Sequence, residues 1–242
     1  NTLSQHDLSF SYDRIGEVQV DQGNLPAALQ AFEASLVIRE RLAARDQANT
    51  QWQYDLSVNH EQIGEVLVAQ GDLPAALQAF KASLALRERL AARDPANNQC
   101  RRALSVSHNK IGEARFAQGD LLAALQAFGA GLAIAERLAA GDPSNTQWQR
   151  DLTVSHEKIG NVRVAQGDLP AAMRAFKASL ALRERLVMHD PTNTQWQRDL
   201  STSHNKIGQV RVVQGDMPTA LQAFEAAFSI AERLAARDPA NT

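Results

Sequence analysis

The dipeptide Ile-Gly recurs at residues 15–16, 63–64, 111–112, 159–160 and 207–208, always 48 residues apart. A second marker keeps the same step: Gly23-Asn24-Leu25, Gly71-Asp72-Leu73, Gly119-Asp120-Leu121, Gly167-Asp168-Leu169 and Gly215-Asp216-Met217. Self-similarity at a fixed period of this size marks an architecture in which one supersecondary unit is written several times. Five units, 1–48, 49–96, 97–144, 145–192 and 193–242, account for the whole sequence without linkers or insertions. The expectation is a single repeat domain over 1–242. Because the chain opens on Asn-Thr and stops at a unit boundary, it is expected to be an excised part of a longer polypeptide.

Each unit reads as two long helices, A and B. In the second unit, helix A is expected over Gln51 to Gln70. Trp52, Leu56, His60, Ile63 and Leu67 fall on one stripe at helical period, the face that packs. Thr50-x-x-Gln53 has the spacing of a capping box, and Thr2/Gln5, Thr146/Gln149 and Thr194/Gln197 repeat it. Gly71 suits the left-handed residue that ends a helix. Asp72 then caps helix B, with Pro74 tolerated in its first turn. Helix B runs to Arg93, turning Leu77, Phe80 and Leu84 inward. Arg45, Arg93, His189 and Arg237 sit in its last turn, where a cation suits the helix dipole, and Asp94-Pro95 stops it. Two such helices cannot bury their apolar stripe alone, whereas stacked copies can, so each unit is a rung of an all-α solenoid.

These residues resemble the tetratricopeptide repeat. Ile63-Gly64, Gly71-Asp72, Ala76, Phe80 and Leu84 stand at that family's mutual spacings, and all five units keep the pattern. The resemblance implies a right-handed α-solenoid, or superhelix, of five helix-turn-helix repeats. It also implies a non-catalytic protein-binding scaffold with a concave groove lined by the A helices. The family repeat is 34 residues, so each unit here carries 14 more, shared between the two helices at about two turns each. Trp52, Trp148 and Trp196 lie in the added turns of helix A and are expected to pack on the added turns of a neighbouring helix B. His60, His108, His156 and His204 stand where the family commonly has a large apolar residue.

The histidine column invites a metal reading. A metal needs three or four ligands converging at ~2.0–2.2 Å, and one histidine per rung, with helices ~8–10 Å apart, cannot converge. The expectation is a hydrogen-bonded packing histidine, with no metal and no cofactor. Cys100 occupies the Trp column, where a small residue packs poorly; truncating a core Trp costs roughly 3–5 kcal/mol. In the third unit Asn98/Arg101 replaces the capping-box pair, Ala103 replaces the aspartate of Asp55, Asp151 and Asp199, and Gly129, Gly131 and Gly141 interrupt helix B. Each mid-helix Gly costs roughly 0.5–1 kcal/mol relative to Ala, which makes this rung the expected soft point and a candidate bend.

No nucleophile–base set, phosphate loop, paired-carboxylate site or zinc motif is present, so no enzyme is expected. A net charge of -2 and a pI near 6.3 give no reason to expect nucleic acid or an anionic membrane as partner. No apolar run is expected to approach the ~20 residues that cross a bilayer. The single cysteine fits a reducing, cytoplasmic setting.

Function is expected on the A-helix face opposite the packing stripe. Unit by unit that face holds Phe10, Asp13, Arg14, Glu17, Asp21; Val58, Glu61, Gln62, Glu65; Val106, Asn109, Lys110, Glu113; Val154, Glu157, Lys158, Asn161; and Thr202, Asn205, Lys206, Gln209. Formal charges grade from acidic in the first two units to weakly basic in the last, which suits a protein or peptide whose basic segment lies on the first two units. Some family members grip an acidic chaperone tail; Glu61, Glu65 and Glu157 would repel one, and Asn161, Asn205 and Lys206 imitate that clamp only in part. The alternative is a structural module stacking end to end, with Leu221, Phe224, Phe228 and Leu234 of the last helix exposed to a further rung.

Overall fold

The structure, a computed structural model, describes residues 2–237. The expected close of the fifth unit at residues 238–242 lies outside the described residues. Ten α-helices are described: α1 (Thr2–Asp21), α2 (Leu25–Arg45), α3 (Thr50–Ala69), α4 (Leu73–Arg93), α5 (Asn98–Ala117), α6 (Leu121–Gly141), α7 (Thr146–Ala165), α8 (Leu169–His189), α9 (Thr194–Val213) and α10 (Met217–Arg237). The odd helices are the A helices and the even ones the B helices. The all-α class and the five-pair organisation are as expected.

The A-to-B turn follows the sequence closely. Gly71 has φ 84°, a conformation that costs a side-chain-bearing residue strain. Its amide donates to Val68 O and the Asp72 amide donates to Leu67 O, at 3.0 and 2.9 Å, which satisfies carbonyls at the end of α3. Asp72 Oδ1 then accepts from the Ala75 amide at 3.1 Å, capping α4.

The B-to-A turn corrects the expected capping box. The cap of α3 is Asn49 rather than Thr50: its Oδ1 accepts from the Trp52 amide at 3.1 Å. Asn145 and Asn193 do the same for Trp148 and Trp196. Gln53 does not reach back to the cap; its Nε2 donates to Ala43 O at 3.1 Å, as Gln149 Nε2 does to Ala139 O. The short Asx side chain reaches an amide three residues on, which leaves the longer glutamine to satisfy a carbonyl at the C-terminal end of the preceding B helix. The third repeat keeps its cap despite Asn98 and Arg101, because Asn97 Oδ1 accepts from the Gln99 and Cys100 amides.

The chain comprises two compact units, Asn1–Ile134 and Ala135–Thr242, divided inside α6. In the first, α1 pairs with α2, α3 with α4, and α5 with the first part of α6. Within a repeat the A helix meets its B helix at a glycine: a Cβ on Gly64 would lie 2.4 Å from the Phe80 ring. Between repeats, B packs on the next A. Ala28 and Phe32 meet Ile63 and Val66, and Ala76, Leu77 and Phe80 meet Ile111 and Ala114. Fully burying each such Leu, Ile or Phe contributes roughly 1.5–3 kcal/mol. In the second unit α7 pairs with α8 and α9 with α10, and Ala172, Met173 and Phe176 meet Val210.

Three expectations need correction here. Phe224 does not belong to an exposed end face; its ring fills the space over Gly208 of its own repeat, as Phe80 does over Gly64. Leu234 is half-buried, whereas Leu221 and Phe228 are exposed as expected. Finally, among the described residues one helix is long and apolar enough to cross a membrane: α6, 21 residues with a window of mean hydropathy 1.4. Its composition arises because Gly129, Ala135 and Gly141 stand where α4 has Lys81, Arg87 and Arg93. It nevertheless sits on its A helix as the other B helices do, with Phe128 against Gly112.

Candidate functional site

The expected groove residues divide into two sets. Asp13 is buried, 5% exposed, and ion-pairs with Arg39 of α2 while accepting from Asn59 Nδ2 at 3.2 Å. Burial pushes its carboxyl up; hydrogen bonding from Ser35 and Asn59 and the Arg39 charge pull the other way. It is therefore part of the packing, not of a ligand-facing surface. Glu61 pairs with Arg87 and Glu157 with Arg183, the latter at 2.5 Å, and both arginines are buried. These carboxylates are neutralised in place. The acidic grade inferred for the first two repeats is correspondingly weaker than formal charges suggest.

The arginines were missed as partners, although a signal for them was present. Arg39, Arg87 and Arg183 occupy one register of helix B, and wherever one stands, the A helix of the same repeat has Asp13, Glu61 or Glu157. Where the B helix has Ala135 or Ala231, the A helix has Asn109 or Asn205. Charge and counter-charge change together. Each arginine also reaches the next repeat: Arg87 Nη1 donates to Ala103 O at 3.1 Å and to Ser107 Oγ at 2.9 Å, and Arg183 Nη1 donates to Asp199 O at 2.9 Å and Ser203 Oγ at 2.7 Å. One guanidinium thus joins three consecutive helices, a use of its forked donors that lysine cannot reproduce.

The second set stays at least partly exposed: Phe10, Arg14, Glu17, Asp21, Val58, Gln62, Glu65, Asn109, Lys110, Glu113, Lys158, Asn161, Asn205, Lys206 and Gln209. Arg14 pairs with Glu17 at 2.8 Å on the surface and stacks over the Phe10 ring at 4.9 Å. Lys110 Nζ of the third repeat lies 2.6 Å from Glu65 Oε1 of the second. Burial opposes that ammonium, but Glu65, with Glu113 and Glu61, more than offsets it and holds the group above its ordinary value. One joint earlier, Gln62 Nε2 donates to Glu17 Oε1 at 3.5 Å, and Gln62 Oε1 is buried without a hydrogen-bond partner. Between α1, α2 and α3 lies a cavity of about 280 Å³, bordered by Glu17, Asp21, Gln62 and Glu65 over Val20, Leu25, Phe32 and Val66.

His60, His108, His156 and His204 are half-buried at the joints between repeats. Burial lowers each, and a glutamate from the preceding B helix (Glu40, Glu88, Glu136 and Glu184 in turn) partly counters it. Among the described residues no three His, Cys, Asp or Glu side chains form a metal-sized group. Trp196 packs edge-on against His189 in the last turn of α8, ring centres 6.3 Å apart, as expected of the added turns. Cys100 borders a cavity of about 280 Å³ with Tyr54, Leu90 and Arg93, the gap expected where the Trp column is interrupted. Burial and Asp94 push its thiol up, away from the reactive thiolate.

Helix pairs joined by a glycine turn, packed in sequence through an intra-repeat Gly–Phe contact, define the class of tetratricopeptide-like repeats. Residues 61–97 match the tetratricopeptide repeat family. No curated protein matches the chain by sequence. Among solved structures, BtubC (BKLC) from P. vanneervenii is similar with a TM-score of 0.76 at 14% identity, over 97% of this chain and 84% of that one. The apo form of RapI is similar at 0.70 and 11% identity, over 96% of this chain and 55% of RapI. A Podosopora anserina protein of nearly identical TPR-like repeats is similar at 0.63 and 14% identity, over 95% and 94%. Identities this low establish the fold. In fold, the chain is a tetratricopeptide-like repeat protein.

Proposed function

We propose that this chain is a non-catalytic scaffold that binds a peptide or partner protein along the polar face of its A helices, in a cytoplasmic setting. Repeat folds of this kind typically serve protein–protein interaction through such surfaces. One observation carries the reading: helix packing consumes the apolar stripes and the Arg–carboxylate clips, yet a column of polar side chains remains partly exposed, repeat after repeat, on one face of the A helices. Asp21, Gln62, Glu65, Lys206 and Gln209 are examples. Capture from a cell lysate tests it with two variants, Asp21→Lys/Glu65→Lys and Asn161→Glu/Gln209→Glu. A protein held by the native chain and lost by either variant supports the reading. Equal capture by all three chains overturns it.

A second reading rests on a different observation. Leu221 is 59% exposed where its counterpart Leu77 is 6% exposed, and Ile15 is 52% exposed where Ile63 is 7% exposed. The apolar surfaces that close the joints within the first unit are open on α10 and on α1, so copies stacking end to end would repeat an interior contact. Sedimentation velocity across a concentration series checks this: Leu221→Glu/Phe228→Glu should abolish any assembly, and a native chain that is monomeric throughout removes the reading.

A further inference from the structure

The cavity in the first joint lacks a side chain that the second joint supplies from within the chain. In the second joint Lys110 reaches across to Glu65 at 2.6 Å. Lys110, Lys158 and Lys206 share one register, and in that register the first joint has Gln62. The shorter glutamine reaches Glu17 only at 3.5 Å, and its Oε1 stays buried and unpartnered. A buried acceptor left without a donor is costly, and an entering N–H satisfies it.

The surroundings suit one kind of occupant. Val20 is 39% exposed and, with Leu25, Phe32 and Val66, gives the cavity an apolar floor. Glu17, Asp21 and Glu65 give it an acidic rim. Asp21 joins no ion pair among the described residues, and beside the 3.5 Å contact from Gln62, Glu17 is met by Arg14, which is largely solvent-exposed. Surface pairs of that type hold weakly, so an incoming cation displaces little. An aliphatic stem ending in a compact ammonium matches both floor and rim.

We propose that this cavity receives a lysine side chain of the partner, its stem on Val20 and Leu25 and its ammonium donating to Glu17, Asp21 and Gln62 Oε1. The inference rests on the reading of the A-helix face as a protein-binding surface and names the side chain taken at its first joint. The third repeat's lysine, seated on Glu65, is the chain's own imitation of that contact.

The probe is an acetylated, amidated pentapeptide, Gly-Leu-Lys-Leu-Gly, titrated into the ¹⁵N-labelled chain by NMR, beside versions with norleucine or arginine for lysine. The expected result is that the lysine peptide shifts the amides of Glu17, Asp21, Gln62 and Glu65, and that the norleucine peptide binds at least about tenfold more weakly. The Gln62→Lys variant, which fills the cavity as Lys110 does one joint on, should lose the response while keeping or raising the melting temperature. Equal binding of lysine and norleucine peptides overturns the proposal, as does tighter binding of arginine, unchanged binding by Gln62→Lys, or the absence of shifts at these amides. None of these results bears on lysate capture. A partner still lost by Asn161→Glu/Gln209→Glu would leave the broader surface reading standing while the lysine site falls.

Discussion

At the scale of single residues, the arginine clips decide how tightly consecutive helices are joined. Arg87 is buried with its charge met by Glu61, and its remaining donors reach Ala103 O, Ser107 Oγ and Ser57 Oγ. Removing one partner strands the other in a poorly solvated place, so Glu61→Asn or Arg87→Ala alone should cost about 3 kcal/mol. The double variant copies the Asn109/Ala135 pair that the third repeat already uses, and should cost less than about 1 kcal/mol. Chemical denaturation of the four chains measures the coupling; additive losses would show that the paired changes across repeats carry no energetic meaning. The same scale holds the Gly–Phe contact. A methyl on Gly64 would meet the Phe80 ring at 2.4 Å, and Gly64→Ala should cost roughly 1–3 kcal/mol through overpacking, seen as a lower melting temperature. The contact was legible from Gly and Phe recurring in step. The clips were legible too, but only by comparing repeats with one another, since within one repeat Glu61 reads as a solvated acid.

At the scale of elements, α6 differs from its four counterparts. Its three interruptions are not equivalent. A Cβ on Gly129 or Gly141 would meet nothing within 4 Å, whereas on Gly131 it would come to 2.7 Å from Asn109 Oδ1 and 3.2 Å from Ser105 O. Gly131 O also accepts from Ser105 Oγ at 2.8 Å, as Ala227 O does from Ser201 Oγ at 3.0 Å. Gly129→Ala should therefore stabilise by roughly 0.5–1 kcal/mol, while Gly131→Ala should gain nothing or lose stability; thermal unfolding of the two variants separates them. The division into two compact units falls within this helix, and hydrogen exchange should be fastest, among the B helices from α2 to α8, along α6. At the start of α5, Cys100 borders a cavity at the register where Trp52, Trp148 and Trp196 stand in other repeats. Cys100→Trp should raise stability by on the order of 1 kcal/mol. Helix extents, glycine turns and B-helix caps were readable because each depends on neighbours in sequence. The A-helix cap was misassigned by one residue, since Asn49 and Thr50 both carry a suitable oxygen and only the backbone geometry selects between them.

At the scale of the molecule, four joints each bury part of a histidine whose folded value lies below the ordinary 6.5. Between the depressed folded value and 6.5 the unfolded chain binds more protons than the folded one, so stability rises with pH through that window and is lost as pH falls through it. Unfolding measured at successively lower pH should show this loss, and replacing all four histidines by glutamine should flatten it; an unchanged profile would assign the acid sensitivity to other groups. The sequence by itself determined the period, the helix pairing, the turns and the class of fold, because a 48-residue repetition forces every unit to satisfy one local pattern and to bury one shared stripe against its neighbours. Only the tertiary structure decided which polar side chains on the A helices are spent on packing and which remain exposed. Asp13 and Asp21 look alike in the sequence, yet one lies buried against Arg39 and the other on the rim of an open cavity. That difference depends on what the adjacent helices place beside each carboxylate, a distance in space on which sequence spacing is silent.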